Sequence, residues 1–167
     1  MAVSPIKLNV GTTLQWKDSG GDYGITMSSL AAVTGRIGAR GDLGAWPRAY
    51  RWRWYCETRW VATPAQFDSL DFYVGFWDND TGPANPWAQV AATDSALTAT
   101  QRNNLRFVGS VVVEAASVGP FSAGGIFESN HRYISPVLYN NSATKALAAS
   151  GTFATLLRLT PVFDEAQ

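Results

Sequence analysis

Between Tyr50 and Val61 the chain reads YRWRWYCETRWV, and the kind of side chain changes at every step. On an extended strand, Tyr50, Trp52, Trp54, Cys56, Thr58 and Trp60 share one face, and Arg51, Arg53, Tyr55, Glu57, Arg59 and Val61 share the other. A helix of 3.6-residue period would mix indole and guanidinium on every side, so the stretch reads as a half-buried β-strand. Burying one tryptophan removes about 200 Å² from water, worth roughly 5 kcal/mol gross as an upper bound. The tryptophan face is therefore expected to point inward. Arg51, Arg53 and Arg59 then point outward, with Glu57 placed to pair with a neighbouring strand.

The same alternation argues against a groove for single-stranded nucleic acid, which needs rings and cations on one surface. Only Tyr55 shares the arginine side, so no nucleic-acid partner is expected. A planar guanidinium row is better suited to the carboxylates of another subunit.

Further strands follow the same rhythm. Leu70, Phe72, Val74 and Phe76 alternate with Asp71, Tyr73, Gly75 and Trp77, and Leu105–Ala115 places Leu105, Phe107, Val111 and Val113 on one face. Arg132–Tyr139 and Phe153–Val162 are strands whose prolines favour sheet edges or strand ends, and Thr12–Lys17 is a weaker candidate. Ile25–Val33 suits a helical turn or a strand, and Ser95–Arg102 a short helix. Clusters of Gly, Pro, Asn, Asp and Ser separate these stretches every ten to twenty residues or so, the spacing of a sandwich or barrel. The expected fold is all-β: an antiparallel β-sandwich, jelly-roll-like, forming one domain over residues 1–167, with roughly the first ten as an extended arm.

Charge narrows the partners. The 13 basic and 13 acidic side chains cancel, so no long-range field draws the whole molecule to nucleic acid or an anionic membrane. The balance is uneven, with the basic excess before Val61 and the acidic excess after it, which suits self-association or docking on an oppositely charged neighbour. Cys56 is the only cysteine, which excludes an internal disulfide and a cysteine-based zinc site. The opening MAVSPIKLNVG has no signal-peptide pattern and no window approaches a membrane span, so synthesis in the cytoplasm is expected, with no membrane partner.

Several motifs invite a functional reading. Trp46, Trp77 and Trp87 lie in or beside turn-rich sequence, where they serve as covers or subunit contacts, or as flat platforms for a glycan. Asp78-Asn79-Asp80-Thr81-Gly82 is spaced like the start of a calcium loop, but Gly82 and Gln89 stand where further ligands should be, so a plain turn is the simpler reading. Arg40-Gly41-Asp42 matches a short cell-adhesion tripeptide and reads as part of a flexible glycine-rich loop. Catalysis has little support: His131 is the single histidine, and no nucleophile-elbow, zincin or phosphate-loop motif is present. Cys56 sits mid-strand on the tryptophan face, as an inert thiol, and Asp68 and Asp71 have opposite parity. No enzymatic activity, cofactor or metal is expected.

The phrases GTTLQWKDSGGDYGITMSSLAAVTGRIGARGDLG, NLRFVGSVVVEA, RYISPVLYNNS and LRLTPVFDEAQ resemble those of small virion structural proteins of tailed bacteriophages. The resemblance runs from about Gly11 to Gln167 and carries no residue-level site. It implies a sandwich or jelly-roll module without cofactor or chemistry, made in the host cytoplasm and resident in the virion. The expected role is a non-enzymatic capsid decoration or cement protein that contacts other virion proteins and copies of itself. Arg51, Arg53 and Arg59 are the candidate polar contacts, and Trp46, Trp77 and Trp87 the candidate anchors. A tail or fibre component, or a glycan-binding sandwich module, is the alternative.

Overall fold

The computed structural model describes residues 12–44, 49–77, 90–103, 105–149 and 154–163. The expected N-terminal arm lies outside them. In chain order the elements are β1 Leu14–Lys17, β2 Tyr23–Gly24, β3 Thr34–Ile37, β4 Gly41–Asp42, β5 Arg51–Thr58, β6 Ser69–Trp77, β7 Ser95–Ala96, α1 Ala99–Arg102, β8 Arg106–Val112, β9 Phe121–Glu128, β10 Tyr133–Asn140 and β11 Leu156–Val162. They form a five-stranded sheet ordered β2-β1-β11-β5-β9 and a six-stranded one that includes β7-β3-β10-β6-β8, with β4 paired beside β10. All pairs are antiparallel except β1 with β2.

Without the two-residue strands, the sheets read β1-β11-β5-β9 and β3-β10-β6-β8. Every connection among these longer strands crosses from one sheet to the other except β6 to β8, which is the double Greek key of a jelly roll. The expected architecture is therefore the observed one. Between the sheets lies one core containing Trp16, Trp52, Trp54, Cys56, Trp60, Phe72, Val111, Phe127, Leu138 and Leu157. The even-numbered face of β5 is inside, as its alternation predicts, and Arg51, Arg53, Tyr55 and Glu57 face out. Tyr50 is an exception: it precedes the strand, is exposed, and donates its hydroxyl to Glu128 at 2.8 Å.

Three departures from the sequence reading have physical causes. The first concerns β6 and β10, which are buried on both faces because residues 90–103 and Leu105 lie over the back of their sheet. That cover makes a second small core of Ile37, Val90 and Val137, joined by Tyr73, Leu97 and Leu105. Asp94 pins it, accepting from Arg36 Nε at 2.5 Å and from Thr26 N at 2.9 Å. The second concerns the strand at Leu105–Ala115. A bulge falls opposite Phe72 and Tyr73, whose partners are Gly109 and Phe107, and it reverses the parity of β8. Leu105 and Phe107 consequently turn to the outer side, where Phe107 meets the Tyr73 ring, while Val111 and Val113 enter the main core.

The third is Pro136, which stands in a central strand and not at an edge. β4 pairs with Tyr133 and Ile134, β3 with Val137 to Asn140, and Pro136 occupies the gap between them. Its carbonyl accepts from Gly38 at 2.7 Å, so its missing N–H also faces the interruption and breaks no ladder. Pro161 does lie near a strand end, as expected. Ile25–Val33 is neither helix nor strand but a run of turns, and the Ser95–Arg102 helix shrinks to α1, closed by a Thr98–Gln101 capping box.

Candidate interaction surfaces

The outer face of the first sheet is the arginine face. Arg53 is exposed, whereas Arg51 Nε lies 3.8 Å from Glu128 Oε1 on the neighbouring strand. Glu57 finds its partner on its own strand, accepting the Tyr55 hydroxyl at 2.5 Å, and this bond holds the tyrosine pKa above its ordinary value. Arg59 stands past the strand's end, half-buried, with its carbonyl taken by the Ala148 N–H at 2.8 Å. The strand itself thus presents two arginines where the sequence suggested a row of three.

One end of the sandwich is built from the segments 25–33, 59–68, 113–119 and 141–149. Main-chain bonds lace them together: Ser29 N to Ala148 O, Leu147 N to Leu30 O, Val61 N to Ala146 O and Phe67 N to Val113 O. Asn140, fully buried at the end of β10, is their hub. Its Oδ1 accepts from Trp60 Nε1 and Ser142 N, both at 3.2 Å, and its Nδ2 reaches the carbonyls of Leu30, Ala31 and Lys145 at 3.1, 3.2 and 2.8 Å.

This rigid end holds apolar side chains out to water. Phe67, Val61 and Val33 are 75%, 65% and 56% exposed, the most of any large hydrophobic residue among those described. Phe67 and Val33 have φ of 72° and 56°, in the left-handed region that a β-branched or bulky residue rarely enters. Each such residue costs about 1–2 kcal/mol. The surroundings impose the conformation: Asp68 closes the turn by accepting from Ala65 N at 2.9 Å and Ser142 Oγ at 2.6 Å, and Val33 O accepts the Tyr139 hydroxyl at 3.1 Å. Sequence reasoning missed these residues because glycine and asparagine are the usual signals of left-handed backbone, and neither stands at 33 or 67.

Other sequence candidates resolve differently. Trp77 is not a loop anchor but the last residue of β6, buried, with Nε1 donating to Ser135 Oγ at 3.1 Å and the Arg40 guanidinium 5.4 Å from its ring centre. The ring lies between Ser135 of the neighbouring strand and Arg40, so a tryptophan beside turn-rich sequence ends up inside. Trp46, Trp87, Asp78 and Asp80 lie outside the described residues. The Arg40-Gly41-Asp42 tripeptide is no flexible loop: Gly41 and Asp42 form β4, Arg40 lies over the Tyr133 ring at 4.8 Å, and Arg132 grips Asp42 through Nε at 3.0 Å and Nη2 at 2.8 Å. That grip holds the Asp42 carboxyl below its ordinary pKa. A cleft of about 270 Å³ opens beside Val33, Leu97 and Tyr139, but Arg102, 4.4 Å from the Tyr139 ring centre, already covers the face on which a sugar would stack.

Asp68 and Asp71 do not converge. Asp68 serves the loop end, whereas Asp71 accepts from Ser69 and Ser110, each at 2.7 Å. Cys56 is fully buried, and desolvation pushes its thiol up to about 12. The native protein is therefore expected to resist an aromatic disulfide reagent at neutral pH and to react only on unfolding. Stability should fall as pH rises from about 9 towards 12, because the unfolded thiol ionises there while the folded one keeps its proton. Rapid native-state labelling would refute this placement of the thiol.

Among the described residues no helix is long and apolar enough to cross a membrane, and no three His, Cys, Asp or Glu side chains gather as metal ligands. The jelly roll with one strained apolar end defines a class of surface, and comparison with family models, curated proteins and solved structures finds no match for the chain.

Proposed function

We propose that the protein is a non-enzymatic structural component of a tailed-phage virion, a capsid decoration or cement protein that seats its loop end on a neighbouring virion protein. The observation that carries this reading is the exposure of Phe67, Val61 and Val33 on backbone that is left-handed at two of the three. An apolar side chain held in water by strained backbone gains only when a partner covers it, and strain of this kind concentrates where a surface works. The architecture agrees, since viral capsid domains and lectins both use jelly rolls, although a fold by itself fixes no function. Weak contacts suffice when many copies dock on one shell.

The test is mass spectrometry of density-purified particles from cells carrying the gene in its natural setting, combined with immunogold labelling. The chain is expected in many copies on particle heads, and the double variant Phe67→Ser, Val61→Ser is expected to fold normally yet drop out of the particles. Labelling of tails would move the protein to the tail or fibre, and particles lacking the chain altogether would end the virion reading.

A further inference from the structure

We infer that two copies of this chain join edge to edge through β9, antiparallel about a two-fold axis at Gly124, so that their first sheets continue as one. The terminal strand of that sheet is β9, paired only with β5. Ser129 N donates to Tyr50 O at 2.9 Å, and this bond sets the phase of the ladder. With the register Trp52↔Phe127 and Trp54↔Gly125, the N–H and C=O groups of Phe121, Ala123, Gly125 and Phe127 point to β5. Those of Ser122, Gly124, Ile126 and Glu128 point off the sheet.

The outward groups are open. Ser122, Gly124, Ile126 and Glu128 are all exposed, and for Gly124 exposure means exposed main chain. Among the described residues, the exception is Glu128 O, which accepts from Arg106 Nη1 at 3.0 Å. Edge strands are ordinarily blunted by proline, lysine, inward charge or a bulge. The stretch FSAGGIFE has no proline or lysine and carries its single charge at the last position. By contrast β8, the corresponding edge of the other sheet, carries the bulge.

The occupant that fits is β9 itself. An axis at Gly124 sets Gly124 against Gly124 of the second copy and Ser122 against its Ile126, giving about six main-chain bonds. The next pair sets Glu128 against Pro120. Proline has no N–H to offer, and the Glu128 carbonyl needs none because Arg106 already fills it. The ladder therefore ends without an orphan. Moving the axis one residue either way sets Pro120 against Ile126, stranding an acceptor, or Ser122 against Glu128, stranding a donor.

Charges agree with this register. Arg53 lies beside Ile126 and Glu57 beside Ser122 within one copy. Two-fold pairing then makes the row Arg53, Ile126, the second copy's Ser122 and the second copy's Glu57, and its mirror. The terminal Cα atoms of each row stand about 14 Å apart at the usual strand spacing, a span that arginine and glutamate bridge over the small serine. No row brings Arg53 against Arg53. Ile126, 52% exposed in the single chain, is covered at the seam.

Sedimentation equilibrium of the whole chain tests the pairing. A dimer is expected, with Ile126→Lys and, separately, Ser122→Pro each weakening it roughly tenfold or more, while far-UV circular dichroism shows the fold of each chain kept. Both positions direct their N–H off the sheet, so neither change removes a main-chain bond within the chain, although the proline also takes the Ser122 hydroxyl away from Tyr55. Arg53→Glu should weaken the dimer by sending glutamate towards glutamate, and adding Glu57→Arg should restore it, a rescue that a merely structural role for either residue would not produce. A monomer at about 100 μM, where a dimer of micromolar Kd would be mostly associated, would overturn the inference, as would a dimer indifferent to all these changes. The pairing is independent of the virion role: a monomer found in particles defeats only the dimer, and a dimer absent from particles defeats only the virion reading.

Discussion

Replacing Asn140 by alanine is expected to lower unfolding free energy by about 4 kcal/mol and the melting temperature by roughly 8–16 °C. The cost lies in what the truncation leaves behind. Buried Trp60 Nε1 loses its acceptor and the part-buried Lys145 carbonyl its donor, and each stranded group costs about 1–3 kcal/mol. The Leu30 carbonyl keeps the Leu147 N–H and loses less. Denaturant titration measures the total, while native-state hydrogen exchange should accelerate first in residues 25–33 and 141–149. Asn140→Asp should be worse than alanine, since it points a carboxylate at three carbonyls. A loss under about 1 kcal/mol would show that the hub does not bind the loops together.

Trp54 to alanine should cost about 3–5 kcal/mol, the range for emptying a buried aromatic site. Its ring is wedged between the sheets: a Cβ on Gly109 of β8 would overlap its Cζ2, and one on Gly125 of β9 would stand 2.8 Å from its Nε1. Gly109→Ala should therefore cost about 1–3 kcal/mol by overpacking. Gly109 does not use left-handed backbone, so the cost arises from the ring and not from φ. In the Trp54→Ala background the added methyl enters vacated space, and the cycle should show a coupling of about 1–2 kcal/mol. Strict additivity would mean that something other than the indole enforces glycine at that position.

Local alternation made β5 legible, because Trp52, Trp54 and Cys56 against Arg51, Arg53 and Tyr55 state a period that no helix tolerates. Cys56 was legible for the same reason. Features that depend on contact between distant segments were not. The glycine opposite Phe72 makes sense only once Trp54 arrives from the other sheet, and without it the bulge in β8 has no local sign. Trp77 reads as exposed because the sequence after it is rich in turns, yet its burial is set by Arg40 and Ser135, both distant in the chain. The charge on Asp42 is answered by Arg132, 90 residues away, and nothing between them announces the pair. At the loop end, the exposed apolar surface is hidden from a sequence reading because left-handed valine and phenylalanine are rare enough that no pattern signals them.

The cover laid by residues 90–103 and Leu105 over the back of the second sheet ties two traits of the chain to one another. Ile37, Val137 and Tyr73 are tolerable there only while that crossover is present. A descendant that shortened the segment would expose a greasy flank and would come under selection for serine, threonine or lysine at 37, 73 and 137, while one that kept the segment is free to keep the apolar set. Crossover length and the oiliness of that flank should drift together, and the outer face of the first sheet, where Arg53 and Arg158 are exposed, should show no such correlation.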